Sequence, residues 1–275
     1  GKAKRKPGKY FSMIIDAMDQ KKSELPRARD GEKAHLMDNC PTLKVKITGV
    51  MVHSHEHGPR RLAYTSLDKF GIPKDSDPNI TIMTDALSKS LDAAHRNGHH
   101  PSVLYLQVDN AADNKNQFVL AWAHLLVASN VFRKVKISLL PVGHCDTHED
   151  IDQMFSRISV RLKARHIFSR AKLEEEITKS VATGVEVRRL ERTGKWKRWL
   201  KETMNMDKQG FVGINQWRVF KIERNDAGQV RCWGKLDMIT SKEEDPNCCQ
   251  PPEGVNIFPQ MTVDDEDTLS LPSVP

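Results

Sequence analysis

Ser102-Val103-Leu104-Tyr105-Leu106-Gln107-Val108-Asp109 is a short apolar run that closes on an acid. Its length and composition read as a buried strand. Tyr10-Phe11-Ser12-Met13-Ile14-Ile15-Asp16 follows the same plan near the start of the chain. Between them, residues 43–53 alternate as Leu43, Val45 and Ile47, then Val50 and Val52 after Gly49, where a bulge accounts for the phase slip. Residues 61–67 supply the second strand of a hairpin. After a loop at 72–79, Ile82, Ala86, Leu87, Leu91 and Ala94 recur at helical spacing. Past Asp109, residues 117–129 are apolar nearly all round, which predicts a well-buried helix, and 134–142 form a strand. Residues 147–163 then place Ile151, Met154, Phe155, Ile158 and Leu162 on one helix face, opened by the capping pair Thr147 and Asp150. The order β-β-β-α-β-α-β-α predicts an α/β domain over residues 10–170.

Residues 1–9 form a basic N-terminal segment. Residues 171–258 read as a smaller α+β extension. A basic helical stretch leads there to Trp196 and Trp199, and a hairpin of 217–223 and 229–239 turns on Asn225-Asp226-Ala227-Gly228. From Glu243 the Pro, Cys and acid content reads as loop, and 259–275 as an acidic, disordered tail.

Of 275 residues, 38% are hydrophobic and 29% charged, which excludes a collagen-like or wholly disordered chain. No run of about 18 apolar residues is present, so no membrane partner is expected. The five scattered cysteines contain no C-x-x-C pair and argue for a reducing, intracellular compartment. The basic start is not followed by the apolar core of a secretory leader. The net charge of +7 is concentrated: residues 157–201 hold fourteen Lys and Arg against five Glu. Either a solvated, internally paired helix face or a polyanion-binding flank fits that run.

Three acids fall where this topology converges. Asp16 ends the first strand and Asp109 the fourth; these become central neighbours flanking the switch point of the sheet. Asp152 lies one to two turns into the last helix. Three such carboxylates suit a pair of divalent metals acting on a phosphodiester, and Mg²⁺ or Mn²⁺ fits their oxygen ligands. Each acid also has an ordinary role as a turn or cap residue. Glu149 and Asp150 suit the positive end of the helix.

The strand order with acids at these positions resembles the RNase H-like fold of transposases and retroviral-type integrases. Leu106-Gln107-Val108-Asp109-Asn110-Ala111 is similar to the second-acid motif of mariner-type transposases, and Asp150-Ile151-Asp152-Gln153-Met154-Phe155-Ser156 to their third. The resemblance implies a mixed five-stranded sheet, Asp16, Asp109 and Asp152 as catalytic and metal-binding triad, and phosphodiester hydrolysis or strand transfer. A closer resemblance is to a transposon-derived eukaryotic domain family of unassigned function. It shares Ile15–Gln20, Asp109–Asn116 and Pro141–Gln153, although Cys145-Asp146 interrupts its usual Gly-His-Thr-His. Asn110, Asn114, Asn116, His144, His148 and Glu149 become auxiliary residues on this reading. Lys115, Arg157, Arg161, Lys163 and Arg165 become contacts to DNA, with RNA as the other candidate. An intracellular, nuclear location is expected, and a homo-oligomer is one candidate state, with the oligomeric state left open by the sequence. The rival is a catalytically silent, domesticated module that binds nucleic acid or protein.

Other features keep two readings. His148 shares a helix face with Asp152 and is a proton shuttle, an auxiliary ligand, or a locally bonded first-turn residue. Gly143-His144 and His148 are also similar to the closing motif of metallophosphoesterases, whose upstream ligands are missing here. His53, His55 and His57 alternate as a metal-holding strand would, or form a solvated hairpin tip. Trp196, Trp199, Trp217 and Trp233 build a small core, or offer rings to bases.

Overall fold

The computed structural model describes residues 2–32, 40–53, 60–139, 149–204, 214–236 and 250–255. Among them, nine strands form one mixed sheet in the order β6-β3-β2-β1-β4-β5-β7-β8-β9. The strands are β1 (Tyr10–Ala17), β2 (Val45–Val52), β3 (Arg60–Leu67), β4 (Val103–Val108), β5 (Lys134–Leu139), β6 (Glu186–Arg189), β7 (Val219–Arg224), β8 (Val230–Lys235) and β9 (Gln250–Val255). The helices are α1 (Lys2–Arg5), α2 (Ser76–Arg96), α3 (Gln117–Ala128), α4 (Glu149–Lys163), α5 (Arg170–Thr178) and α6 (Trp196–Met204). The α/β class is as the sequence predicts. No helix among the described residues is long and apolar enough to cross a membrane.

The centre of the sheet follows from local chemistry. β1, β4 and β5 are mutually parallel, and β1, β2 and β3 form an antiparallel meander. Phe11, Met13 and Ile15 alternate into one core with Leu104, Leu106 and Val108. That core is closed by α2 and α3, and Trp122 of α3 is fully buried and donates Nε1–H to Thr84 Oγ1 at 3.0 Å. The near-uniform apolarity of α3 reflects burial on every side. The opposite face, through Ile14, Ile47, Met51 and Ala63, is covered by the stripe Ile151, Met154, Phe155, Ile158 and Leu162 of α4 and by Leu173 and Ile177 of α5.

Three expectations change. The sheet has nine strands instead of five: residues from 171–258 add β6 to one edge and β7, β8 and β9 to the other. Leu190, Trp196, Leu200, Phe220 and Ile222 join the main core, so these residues build no separate small core. Pairing the outer edges of β3 and β5 removes two rows of open backbone groups. Second, Gly49 is not a bulge, since β2 pairs with β3 in unbroken register from Val45 to Val52. Both faces of β2 are buried, so apolar residues need not alternate along it. Gly49 is required for another reason: a Cβ there would stand 2.6 Å from Met154 Cε and 2.8 Å from two atoms of the Phe155 ring. Third, β9 lies in the stretch read as loop. Its two prolines are tolerable because, among the described residues, it pairs with β8 alone and lies at the edge of the sheet. The β7–β8 turn is as predicted, with Gly228 at φ +77° and Asn225 Oδ1 accepting from Gln229 N at 2.8 Å.

Candidate functional site

Asp16 is the seventh residue of β1, and Asp109 directly follows β4. The parallel register runs from Tyr10 opposite Val103 to Ile14 opposite Gln107, and its continuation sets Asp16 opposite Asp109. Neighbouring strands lie about 4.8 Å apart, and the pleat carries both side chains to the face that bears Ile14 and Gln107. Two adjacent, parallel central strands therefore each carry an acid at the carboxyl end, Asp16 within β1 and Asp109 just past β4. Both acids are half-buried.

Local hydrogen bonds hold the pair. Asp16 Oδ1 accepts from Ala17 N at 2.8 Å. Asp109 Oδ1 accepts from Ala111 N at 3.3 Å and from Asn114 Nδ2, so the turn role weighed for this residue is also realised. Asn114 is itself buried, and its Oδ1 accepts from Asn79 Nδ2 at 2.9 Å. Asn79, in the first turn of α2, donates also to Asp113 Oδ2 at 3.0 Å. This amide relay from α2 fixes the Asp109 carboxylate. Sequence reasoning missed Asn79; a polar residue on the apolar side of a helical stripe was the available signal.

The other candidates are dispersed. Asn116 caps α3, accepting from Phe118 N and Val119 N at 3.0 and 3.1 Å, which is a structural task. Asn110 buries its Oδ1 with no hydrogen-bond donor among the described residues. Lys115 donates Nζ–H to the Asn215 carbonyl at 2.7 Å, and burial, then Arg218, lowers its pKa. His144 and His148, the side chain of Glu149, and His55 and His57 lie outside the described residues.

On α4, Asp152 is exposed, off the buried stripe. It is not gathered with Asp16 and Asp109: among the described residues no three His, Cys, Asp or Glu side chains are placed to hold a metal ion. Its neighbour Asp150 instead accepts from His53 Nε2 at 2.8 Å. The His53 backbone N–H in turn binds the Ser12 carbonyl, toward the start of β1, so the first turn of α4 is anchored away from the Asp16 end. The pair Asp16–Asp109 fits a single hard cation that keeps most of its water, as Mg²⁺ does on one or two carboxylates. It does not by itself fit two.

The basic run after Asp152 is mostly neutralised within the fold. Arg161 Nε reaches the buried Glu176 carboxylate at 2.7 Å, and Lys172 and Arg165 approach it at 3.0 and 3.9 Å. Arg170 and Arg189 share Glu174, Arg188 binds Asp85 and Glu186, and Lys197 binds Asp75. Arg157, Lys163 and Arg165 remain exposed.

Comparison with curated proteins gives no match, and comparison with solved structures gives none. Comparison with protein families matches residues 35–236, a span that holds Asp109, Asp152 and every strand from β2 to β8, while β1 with Asp16 precedes it. The match covers most of the chain, and the protein belongs to the family DUF7869, a domain of unknown function.

Proposed function

We propose that the chain is a nucleic-acid-binding domain on an RNase H-like scaffold of transposase type, with one hydrated Mg²⁺ or Mn²⁺ held between Asp16 and Asp109. The observation that carries the reading is the parallel pairing of β1 with β4, within the central order β3-β2-β1-β4-β5, with Asp16 and Asp109 at the carboxyl ends of those two strands. Such a crevice is where open α/β sheets take their ligands. A cation there supplies an electrostatic anchor for a phosphate oxygen. Asn114 and Asn79 orient the Asp109 carboxylate, and the Ala17 amide orients that of Asp16.

Binding is favoured over cleavage because two-metal chemistry asks for a third convergent carboxylate, and Asp152 is exposed outside the pair. The second reading, metal-dependent hydrolysis or strand transfer by Asp16, Asp109 and Asp152, draws on the same acid register and on the two transposase-like motifs. Plasmid nicking in Mg²⁺ and in Mn²⁺ separates the two. The binding reading expects no nicking above background by the wild type, together with DNA retention that Asp109→Asn weakens. Nicking by the wild type that Asp109→Asn and Asp152→Asn both abolish establishes the second reading instead.

A further inference from the structure

Strands covered on both faces read as continuous apolar runs. β4 and β5 do not: they alternate as Val-Leu-Tyr-Leu-Gln-Val and Lys-Val-Lys-Ile-Ser-Leu. Leu104, Leu106, Val108, Val135, Ile137 and Leu139 fill the main core. The intervening Tyr105, Gln107, Lys134, Lys136 and Ser138 are half-buried on the other face. There α4 and α5 pack over residues of β1, β2 and β3, and the half of the face built on β4, β5, β7 and β8 lies outside their cluster.

Across that half the register sets Tyr105, Lys136, Lys221 and Trp233 in one row. Lys136 and Lys221 are direct cross-strand partners, an arrangement that destabilises a sheet when the charges are alike. In the next row Lys134 faces Glu223, whose carboxylate is shared between Lys134 and Lys221. The Lys136 ammonium instead lies 5.7 Å from the centroid of the Tyr105 ring, and that of Lys221 lies 4.3 Å over Trp233. Burial, then the charges of Lys134, Lys2 and Lys221, holds the Lys136 pKa below its usual value against the opposing pull of Glu223. Two ammonium groups, those of Lys134 and Lys221, share the Glu223 carboxylate, and Lys136 lies beside them without an ion pair of its own among the described residues. A sequence that breaks a local rule in this way gains something by it elsewhere.

We infer that this lysine-bearing face, beside α1 at its Tyr105 end, binds the phosphodiester backbone of a single-stranded nucleic acid. The cation cluster stands on its own geometry; nucleic acid as the polyanion rests on the function proposed above. The row from Tyr105 to Trp233 crosses four strands, about 14 Å at the usual strand spacing. Rings that flank closely set cations on a flat sheet suit an unpaired strand, whose bases remain open to aromatic contact. Asp109 extends the same face four residues, about 13 Å, beyond Tyr105. The acids therefore share this face but are displaced along β4 from the lysine row, which crosses the strands.

The test is fluorescence anisotropy with a labelled oligothymidylate and a blunt duplex of equal length. Both are measured in EDTA, so that no cation at Asp16–Asp109 contributes, and over a range of salt. The wild type is expected to bind the single strand more tightly than the duplex. The double variant Lys136→Gln/Lys221→Gln is expected to bind it about tenfold more weakly, with a salt slope smaller by about 1.4, or about 0.7 for each phosphate that is no longer neutralised. Its thermal midpoint should be unchanged or higher, because the substitutions relieve repulsion. Lys179→Gln, on α5, should bind as the wild type does. Single-strand binding that the double variant leaves unchanged overturns this inference and spares the proposed function, as does a duplex bound as tightly as the single strand. Absence of binding to either oligonucleotide, with and without Mg²⁺, overturns both.

Discussion

Replacing Gly49 with alanine places a methyl group between β2 and α4. The new Cβ would stand 2.6 Å from Met154 Cε and 2.8 Å from Phe155 Cε1 and Cζ. Carbon atoms in ordinary contact are about 3.5–4.0 Å apart, so the ring must retreat by about 1 Å. Met154 can swing its terminal methyl aside. Phe155 cannot readily follow, because its ring is fixed on the buried stripe of α4 and is only 9% exposed. Overpacking of this kind costs about 1–3 kcal/mol. Removing a strand glycine returns about 0.5–1 kcal/mol, which leaves a net loss of about 1 kcal/mol at the middle of both ranges and up to about 2.5 kcal/mol. Urea unfolding reads this as a lower midpoint at unchanged slope. Adding Phe155→Leu should return part of the loss, with a coupling energy of at least about 0.5 kcal/mol. A Gly49→Ala variant as stable as the wild type, with no coupling to Phe155, refutes the seating of α4 on β2. The placement of Asp150 at His53, and of Asp152 outside the acid pair, would fall with it.

Two further outcomes test the core. Thr84→Val strands the buried Trp122 Nε1–H, which donates to Thr84 Oγ1 at 3.0 Å, and should cost about 1–3 kcal/mol in urea unfolding; a neutral result places Trp122 elsewhere. His124 is buried, and burial, then Arg224, brings its pKa down to about 3. Below pH about 6.5 the unfolded chain takes a proton that the folded chain refuses, so stability falls as the pH drops from there toward 3. Subtracting the pH profile of His124→Gln should leave a decline that begins near pH 6.5, whereas parallel profiles contradict the burial.

Those elements whose local chemistry matches their tertiary role could be read from sequence. β1 and β4 each close on an acid, α3 is apolar all round because it is buried all round, and the β7–β8 turn carries its glycine where φ is positive. Legibility failed where a distant partner decides. Gly49 looks like a defect in alternation until Met154 and Phe155 arrive over it from more than a hundred residues away. β6 carries Arg188 and Arg189 because Asp85, Glu186 and Glu174 neutralise them there, and its short polar sequence has no strand pattern. β9 is hidden by its prolines, which only an edge accommodates. Of the site, the parallel adjacency of β1 and β4, the strands that carry Asp16 and lead into Asp109, was legible in the strand order. The Asn79–Asn114 relay was not, since it joins α2 to the turn after β4. The internally paired reading of the basic run was legible for Lys172 and Lys179, which bind Glu175 and Glu176 along α5, whereas the tertiary pairs of Arg161 with Glu176 and Arg189 with Glu174 form only once α4, α5 and β6 pack.

Calorimetric titration with Mn²⁺, compared between the wild type, Asp16→Asn and Asp109→Asn, bears most directly on the paired carboxylates. One Mn²⁺ per chain in the wild type, lost in each variant while Asp152→Asn still binds one, is the predicted result. Two Mn²⁺ per chain with Asp152→Asn losing them, or one that survives the loss of either Asp16 or Asp109, would contradict the account.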